Sequence, residues 1–403
     1  MSICAMAAMA EALFADAITP LLPGLDSKFG LGYTLAGLLV ASYAIGYGIG
    51  TYPAVRLLSS VGPRATAVIG AGIVVAGLLF FAVGPDAGLL FLGLALGGFG
   101  GVTIYTGVIA LATASAGDEH RGATIGTVYS GGYAGSALGP MVGAAALAFG
   151  RGPAFGLLAA AQLLITGLLM RLPGAAPIAA TPLRAMLAHV GSAQVRLGLW
   201  ITSLPGFGLG VLMVSGTYRI QEVMGTTLMI AAAFGGIAVI NVFAGPILGN
   251  ISDRMGRRQP LLVLMTFAAI LLGMLIGVEE RIPLVILIAI GGALFSLVDG
   301  PGFALVGDGV QMRGGNDAEA TFLMNLFWGP SAALGAILAG VFHGTGGAML
   351  SFAVLAGITG ISALVVYRFA EGSGGSALGA CLHAAGNWPA AKASGALGFW
   401  CPR

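Results

Sequence analysis

The stretch Gly249–Arg258 has the sequence GNISDRMGRR and lies between two long apolar runs. It contains four charged residues within six positions, in a chain of 403 residues of which only 8% are charged. Gly256 favours a tight turn, because glycine adopts backbone conformations that a side chain opposes, and Gly249 permits a neighbouring helix to approach closely. Asp253 is placed to accept hydrogen bonds from the free N–H groups of a helix start, and the arginines favour the cytoplasmic headgroup region. The stretch therefore predicts a short cytoplasmic loop between two membrane helices.

The same residues resemble the G-x-x-x-D-R-x-G-R-R signature of the major facilitator superfamily, which lies in short cytoplasmic loops between transmembrane helices. The resemblance implies a gating loop made of Gly249, Asp253, Arg254, Gly256, Arg257 and Arg258. The first half of the chain carries a weaker copy, Arg56–Arg64 (RLLSSVGPR), and alignment on Gly62 puts Ser59 where the acid stands in the second half. The sequence therefore predicts a reduced gating role for the first loop.

The composition is that of a polytopic helical membrane protein. Hydrophobic residues make up 58% of the chain, there are 69 glycines, and the mean hydropathy is +0.98. A soluble domain has no means of burying so much apolar surface, so we expect an all-α protein whose partners are the lipid bilayer and a small-molecule substrate. The net charge of +2 gives no reason to expect nucleic acid. The three cysteines (Cys4, Cys381 and Cys401) have neither metal-ligand nor disulfide spacing, and no cofactor or metal is predicted.

Apolar runs of about 20 residues predict twelve transmembrane helices. Six lie near 3–24, 33–55, 65–84, 87–113, 123–148 and 152–171, and six more near 195–217, 226–249, 259–278, 282–306, 319–343 and 346–369. The two sets predict two pseudo-symmetric six-helix bundles, 1–171 and 195–370, which is the major facilitator fold. A cytoplasmic linker, 172–194, separates them, and a tail over 371–403 is expected to be disordered.

Basic residues predict the orientation in the membrane. If both termini are cytoplasmic, that side receives thirteen lysines and arginines and the outer side receives four: Lys28, Arg151, Arg219 and Arg281. This is a clear positive-inside bias, and we expect an inner-membrane protein with both ends in the cytoplasm, acting as a monomer. Within the linker, 183–190 is expected either to form a short amphipathic helix on the membrane surface or to act as a flexible tether.

The fifth predicted helix carries a second motif. Gly126, Gly135, Gly139, Pro140 and Gly143 have the spacing G-x8-G-x3-G-P-x2-G. The glycines provide a smooth face for close helix contact, and Pro140 removes a hydrogen bond and kinks the helix. This pattern resembles the antiporter signature of the superfamily's drug and metabolite exporters. The resemblance implies that the glycines form a ridge that seals the two half-bundles against each other. In the preceding loop, Asp118 and Glu119 are expected to pair with the arginines of the gating loop, unless this loop is simply solvated.

Three carboxylates are predicted to lie within the membrane: Glu11, Asp16 and Asp299. An ionised carboxylate there is costly, so each is a candidate for proton coupling. Many exporters of the superfamily carry an arginine in the fourth helix that is linked to proton transfer. Alignment on Gly98 puts Leu94 at that position, so the carboxylates remain as the candidates for proton coupling. Asp16 is the first choice. Glu11 and Asp16 lie about 140° apart on a helix and are not expected to point squarely into one cavity, whereas Asp299 has a competing role as the cap of a broken helix.

Six polar-tipped residues fall in helices that line the central cavity of this fold. They are Tyr43, Tyr47, Tyr105, Tyr129, Tyr133 and Asn241. Because few charges accompany them, the set predicts a cavity for an uncharged, amphipathic or cationic molecule. Any one of them is also compatible with an ordinary helix contact.

The leading functional hypothesis is a secondary active transporter that exports a small organic molecule in exchange for protons. Uptake of a nutrient or metabolite, by symport or facilitated diffusion, is the alternative, and it is favoured by the missing arginine in the fourth helix. A transport-silent sensor is a third. An enzyme is not expected, because none of the four histidines (His120, His189, His343 and His383) has a plausible partner at catalytic or ligand spacing.

Overall fold

A computed structural model describes residues 2–115, 121–177, 181–224 and 226–386, and it describes side chains over these ranges except at 115, 121–123, 224, 253 and 369–386. Over this part of the chain the protein is almost entirely helical. Nine of the described helices are long and apolar enough to span a bilayer. Two of the candidate spans, Gly32–Val83 and Asp317–Arg368, are 52 residues long, bend once and cross twice, and the shorter helix Arg258–Met274 adds another crossing, which gives the twelve expected crossings.

The first half contains five helices that make six crossings. They are α1 (Ser2–Phe29), α2 (Gly32–Val83), α3 (Ala87–Ser115), α4 (Arg121–Phe149) and α5 (Arg151–Met170). The loop predicted between the second and third crossings shrinks to a single residue, because α2 stays helical on both sides of Gly62 and only this glycine leaves the helical conformation.

The second half follows a short helix, α6 (Leu183–Ala188), and a 3₁₀ turn at His189–Gly191. Its longer elements are α7 (Ala193–Val211), a π-helical turn (Leu212–Gly216), α8 (Thr217–Met224), α9 (Thr227–Met255), α10 (Arg258–Met274), α11 (Arg281–Ser296), α12 (Asp299–Gln311) and α13 (Asp317–Gly386). The segment from α7 to α8 makes one crossing, as does the pair α11 and α12. α13 bends at Gly347 and makes two. It continues to Gly386, past the start of the tail predicted at 371, where alanine and leucine in the sequence SALGACLHAAG favour helix.

Corresponding turns in the two halves have the same backbone conformation. Gly62 has φ 83° and ψ 171°, and Gly256 has φ 83° and ψ 164°. Gly150 and Gly347, which join the last two crossings of each half, also have positive φ. Positive φ is costly for a residue with a side chain, so these glycines fix the bends. The pseudo-symmetry predicted from the alignment of the two loops on Gly62 therefore extends to the backbone.

The most extensive contacts between the halves are those of α2 with α13 and of α4 with α9, and α1 also contacts α8 and α9. α2 and α13 approach so closely that a Cβ atom on Gly37 would lie 3.1 Å from the Cα of Gly340. Likewise, a Cβ on Gly329 would lie 2.8 Å from the backbone nitrogen of Gly48. Small residues let helix backbones pack in this way, where apolar side chains gain nothing over lipid.

The linker contains the short helix expected from the sequence, α6, and this helix packs against the second half. Met186 is 2% exposed and packs with Phe322 and Leu323 of α13 in a separate apolar cluster. Arg313 donates a hydrogen bond to the carbonyl of Ala188 at 3.3 Å. The segment is thus not a free tether, because Met186 anchors it against the second half.

Candidate functional site

A cavity of about 920 Å³ lies between the two halves. The end of the cavity near the linker, Gly62 and Gly256 is called the basic side. The other end, near the turns at residues 30, 84, 150 and 279, is called the opposite side. The cavity reaches the basic side, where Leu58, Thr113 and Thr181 line it together with Asn316–Glu319. Asn316 and Ala318 are exposed there, so this end is the mouth.

Five of the six predicted polar-tipped residues line this cavity: Tyr43, Tyr47, Tyr105, Tyr129 and Tyr133. The rings of Tyr105 and Tyr129 are stacked with centroids 6.0 Å apart. Asn241 is the exception. It lies on the face of α9 that packs against α11, where its amide donates to the hydroxyl of Ser296 at 2.6 Å.

Glu11 lies in the wall formed by α1, α2 and α3. Its side chain is only 2% exposed and accepts a hydrogen bond from the hydroxyl of Tyr43. Gly101 leaves the space for it, because a Cβ at this position would lie 2.5 Å from Glu11 Oε1 and 3.0 Å from the Tyr43 oxygen. Sequence reasoning did not single out Gly101, since nothing in its local pattern separates it from the other glycines of α3.

Asp16 lines the same cavity and faces α4, where it hydrogen-bonds with the hydroxyl of Ser136. Glu11 and Asp16 thus both line the cavity, although they lie on different faces of α1. The cavity is broad enough for two faces of α1 to border it, one next to α2 and the other next to α4. Both partners are neutral hydroxyls.

Asp299 is the third carboxylate in the wall. It is the first residue of α12, and no side-chain hydrogen bond caps this helix. The capping role expected for it is thus not present. Instead, its Oδ1 atom is buried without any hydrogen-bond partner in the part of the chain that the structure describes. Its carboxylate lies within electrostatic range of the hydroxyls of Tyr47, Tyr129 and Tyr133 across the cavity.

The described cavity wall is acidic and aromatic. Glu11, Asp16 and Asp299 lie deep in it and Asp317 and Glu319 lie at the mouth, while none of its described lining residues is a lysine, arginine or histidine. α13 adds two residues that sequence reasoning missed. Asn325 accepts a hydrogen bond from Tyr47 at 3.4 Å, and the ring of Trp328 lies 5.3 Å from that of Tyr47. Their place on α13 was not apparent without knowing which face of this helix meets α2.

The glycines of α4 pack against α1. A Cβ on Gly139 would lie 2.8 Å from Asp16 Cβ, and Gly135 and Gly143 similarly leave no room beside Met9 and Ala17. The expected ridge is therefore real, but it closes a seam inside the first half rather than between the halves. Gly126 lies outside this seam, with nothing within 4 Å of its Cβ position.

Two histidines have glutamate partners that sequence reasoning did not find. At the mouth, His189 Nε2 lies 2.7 Å from Glu319 Oε2. The other carboxylate oxygen of Glu319 accepts hydrogen bonds from Thr181 at 2.7 Å and from Asn316 at 3.2 Å. Since 130 residues separate His189 from Glu319, spacing gave no sign of the pair.

On the opposite side, aromatic and polar contacts close the path between the halves. Tyr218 of α8 donates to Asp26 of α1 at 2.9 Å, and its ring packs edge-on against Tyr33 of α2 with centroids 4.8 Å apart. The ring of His343 of α13 packs at a tilt against that of Tyr33, with centroids 4.3 Å apart, and His343 Nε2 lies 3.0 Å from a carboxylate oxygen of Glu222. Among the described residues, these contacts close the opposite side, whereas the basic side is open.

Two arginines of the gating loop have contacts within the second half. Arg257 forms an ion pair of 3.7 Å with Asp308, and Arg258 donates to the carbonyl of Tyr367 at 3.4 Å. Gly256 makes the expected turn, but Gly249 has nothing within 4 Å of its Cβ position and allows no close helix approach. Arg254 is exposed and Asp253 lies in the last turn of α9. The partners expected for the arginines, Asp118 and Glu119, lie outside the described residues.

Comparison with known proteins agrees with this architecture. The sequence matches the family described as Major Facilitator Superfamily over residues 4–336, which is more than half of the chain. The chain belongs to the major facilitator superfamily. A search of curated proteins finds no significant match to this superfamily member.

Solved structures of other transporters share the fold. One is a bacterial homologue of the human lysosomal transporter Spinster in an inward-facing and unoccupied conformation, with a TM-score of 0.73, 12% identity, and coverage of 91% of this chain and 95% of that one. Two POT family transporters are also similar at a TM-score of 0.73 and 12% identity. One, in complex with a thioalcohol-conjugated peptide, covers 92% of this chain and 96% of its own, and the other, in complex with 5-aminolevulinic acid, covers 91% and 95%. At 12% identity these likenesses concern the fold alone.

Proposed function

We propose that this superfamily member is a secondary active transporter that exports a small organic molecule by alternating access in exchange for protons. The observation that carries the proposal is the cavity between the two halves, which is open on the basic side and has three carboxylates in its membrane-embedded wall. A site near the middle of the membrane, exposed alternately to the two sides, is how transporters of this architecture work.

The proposed proton carriers are Asp16 and Glu11. An ionised carboxylate inside the bilayer is costly, and taking up a proton removes that cost. Both carboxylates border the cavity and have neutral hydroxyl partners, Ser136 and Tyr43, so that no fixed positive charge holds them ionised. They lie on α1, which contacts α8 and α9 of the second half, so their charge can influence how the halves meet.

The proposed orientation places the basic side in the cytoplasm, as the positive-inside rule predicts. The structure would then be inward-facing, with its termini in the cytoplasm of the cell. Single cysteines at positions 86 and 257 should react with an impermeant thiol reagent from opposite sides of the membrane. Labelling of both from one side would contradict the topology.

Uptake by symport or facilitated diffusion is the second candidate, and it rests on Leu94, which is 1% exposed and stands where exporters carry arginine. A panel of substrates in proteoliposomes with an imposed pH gradient separates the two. Export predicts that substrate moves against the proton flux, symport that both move together, and facilitated diffusion that the gradient has no effect. Absence of any flux would instead favour a transport-silent protein.

A further inference from the structure

We propose that Asp299 is the anchor for an organic cation, which binds against the tyrosine rings of the central cavity. This inference deepens the proposed function and rests on it, because it names the chemical class of the transported substrate. The cavity of about 920 Å³ is large enough for such a molecule, since small-molecule sites typically measure about 300–1,000 Å³.

The three deep carboxylates differ in whether they have partners. Glu11 accepts from Tyr43, and Asp16 from Ser136. Asp299 alone has a buried carboxylate oxygen with no hydrogen bond within the described chain. A buried carboxylate that lacks a hydrogen bond is costly, so Asp299 at the cavity wall is suited to a ligand whose positive charge balances its own.

The charge of the cavity selects the sign of that ligand. No basic side chain occurs among its described lining residues, whereas Asp299 faces the cavity from the second half and Glu11 and Asp16 from the first. An anionic substrate would meet only like charges here, and a neutral one would leave the charge of the Asp299 carboxylate uncompensated. A cation is attracted from both walls.

The tyrosines supply the apolar part of the binding site. Tyr129 and Tyr133 of α4 line the same cavity as Asp299. Although Tyr133 lies in a membrane helix, 43% of its surface is exposed, and it borders the cavity. Aromatic faces attract cations that lie within about 6 Å of the ring centre, and they do so without demanding a fixed hydrogen-bond geometry. A site of this type accepts quaternary or delocalised cations.

Binding of tetraphenylphosphonium to the purified chain in lipid nanodiscs tests the proposal, with tetraphenylborate as a probe of similar shape and opposite charge. The wild-type protein should bind the phosphonium saturably and at least ten-fold more tightly than the borate. Asp299→Asn should weaken phosphonium binding at least ten-fold. Glu279→Gln, which removes an exposed charge far from the cavity, should leave binding unchanged.

A second pair of variants tests the aromatic part and does not depend on Asp299→Asn being folded. Tyr133→Phe keeps the ring and should bind the phosphonium as the wild type does, whereas Tyr133→Leu should bind it several-fold more weakly. Equal binding of both ions by the wild type, no saturable phosphonium binding, or unchanged binding in Asp299→Asn would overturn the proposal.

This outcome is separable from the proposed function. Binding in nanodiscs requires no transport, so loss of phosphonium selectivity would reject the cation site even if another molecule were exchanged for protons. Conversely, Asp299-dependent binding without any flux in proteoliposomes would reject the transporter and leave the site standing.

Discussion

Asp16 is the residue on which proton coupling depends most in this account. It borders the cavity, hydrogen-bonds with Ser136, and touches the glycine seam between α1 and α4. We expect Asp16→Asn to bind substrate and exchange it downhill, but to lose at least ten-fold of the accumulation driven by a pH gradient, because the amide carries no titratable proton. Substrate accumulation in proteoliposomes measures this. The matched control is Glu279→Gln, which should accumulate substrate as the wild type does. Gradient-driven transport that persists in Asp16→Asn, in Glu11→Gln and in the double variant would contradict proton coupling through α1.

Gly139 shows how little room the seam leaves. A Cβ there would lie 2.8 Å from Asp16 Cβ and 3.1 Å from the Leu13 carbonyl oxygen. Gly139→Leu should destabilise the protein by about 1–3 kcal/mol, as overpacking does, and should displace Asp16 and abolish exchange.

Gly72 is the control for this substitution, because it is exposed on α2 and has nothing within 4 Å of its Cβ position. Gly72→Leu should be neutral or slightly stabilising, since leucine is the better helix former. Thermal unfolding and exchange are the two measurements. Wild-type exchange in Gly139→Leu would show that the seam has no functional role.

At the scale of single residues, the sequence predicted what the cavity wall contains but not how its groups pair. The five tyrosines and three carboxylates were predicted from polarity within apolar runs. Asn241 was wrong because polarity does not reveal which face of a helix meets the cavity. The pairing of Glu319 with His189, and the part played by Trp328, depend on the approach of segments over 100 residues apart, which no local pattern encodes.

Among the elements, the linker offers the most direct test of a contact found only in the structure. Glu319 accepts hydrogen bonds from Thr181 and contacts His189, and so fastens residues 181–191 to the start of α13. Glu319→Gln should weaken this attachment by about 1–3 kcal/mol, because it leaves buried polar groups imperfectly paired. Hydrogen exchange of the α6 amides should then become faster, while Glu279→Gln leaves it unaltered. Unchanged protection in Glu319→Gln would mean that the apolar contacts of Met186 suffice.

The opposite side of the cavity is closed by α1, α2, α8 and α13. Tyr218→Phe removes the hydrogen bond to Asp26 and keeps the ring, so we expect it to favour the outward-open state by about 1 kcal/mol, roughly five-fold. A cysteine at cavity position Thr106 should react faster with an impermeant thiol reagent added from that side. Tyr52→Phe, at a tyrosine near the basic side, is the control. Equal reaction rates would show that this contact does not hold the path closed.

Element boundaries were predicted best where glycine sets them. Gly62 and Gly256 were aligned from the sequence and have nearly identical φ and ψ. The glycine pattern of α4 was correctly predicted to be a surface for close helix packing. Its partner helix, α1, was not predicted, because a stripe of small residues does not specify which helix it contacts. The short linker helix was among the expectations, but the surface that Met186 packs against was not predicted, because an eight-residue pattern is too short to identify it.

For the whole molecule, the repeated architecture joins these observations. Two halves with matching turns meet along α2 with α13 and α4 with α9, and the cavity between them opens on one side. Such an arrangement permits one half to rock against the other around a central site. The fold class was predictable because length, hydropathy and the GNISDRMGRR stretch all indicate it, whereas the state of the cavity depends on contacts between the halves.

Distance measurements between spin labels in lipid test alternating access most directly. One pair, at 60 and 318, spans the mouth, and a second pair, at 85 and 279, spans the opposite side. The account predicts reciprocal change when the pH is shifted from alkaline to acidic, with one distance shortening as the other lengthens, and predicts that Asp16→Asn abolishes the shift. Distances that stay constant in the wild type, or that change in the same direction on both sides, would contradict it.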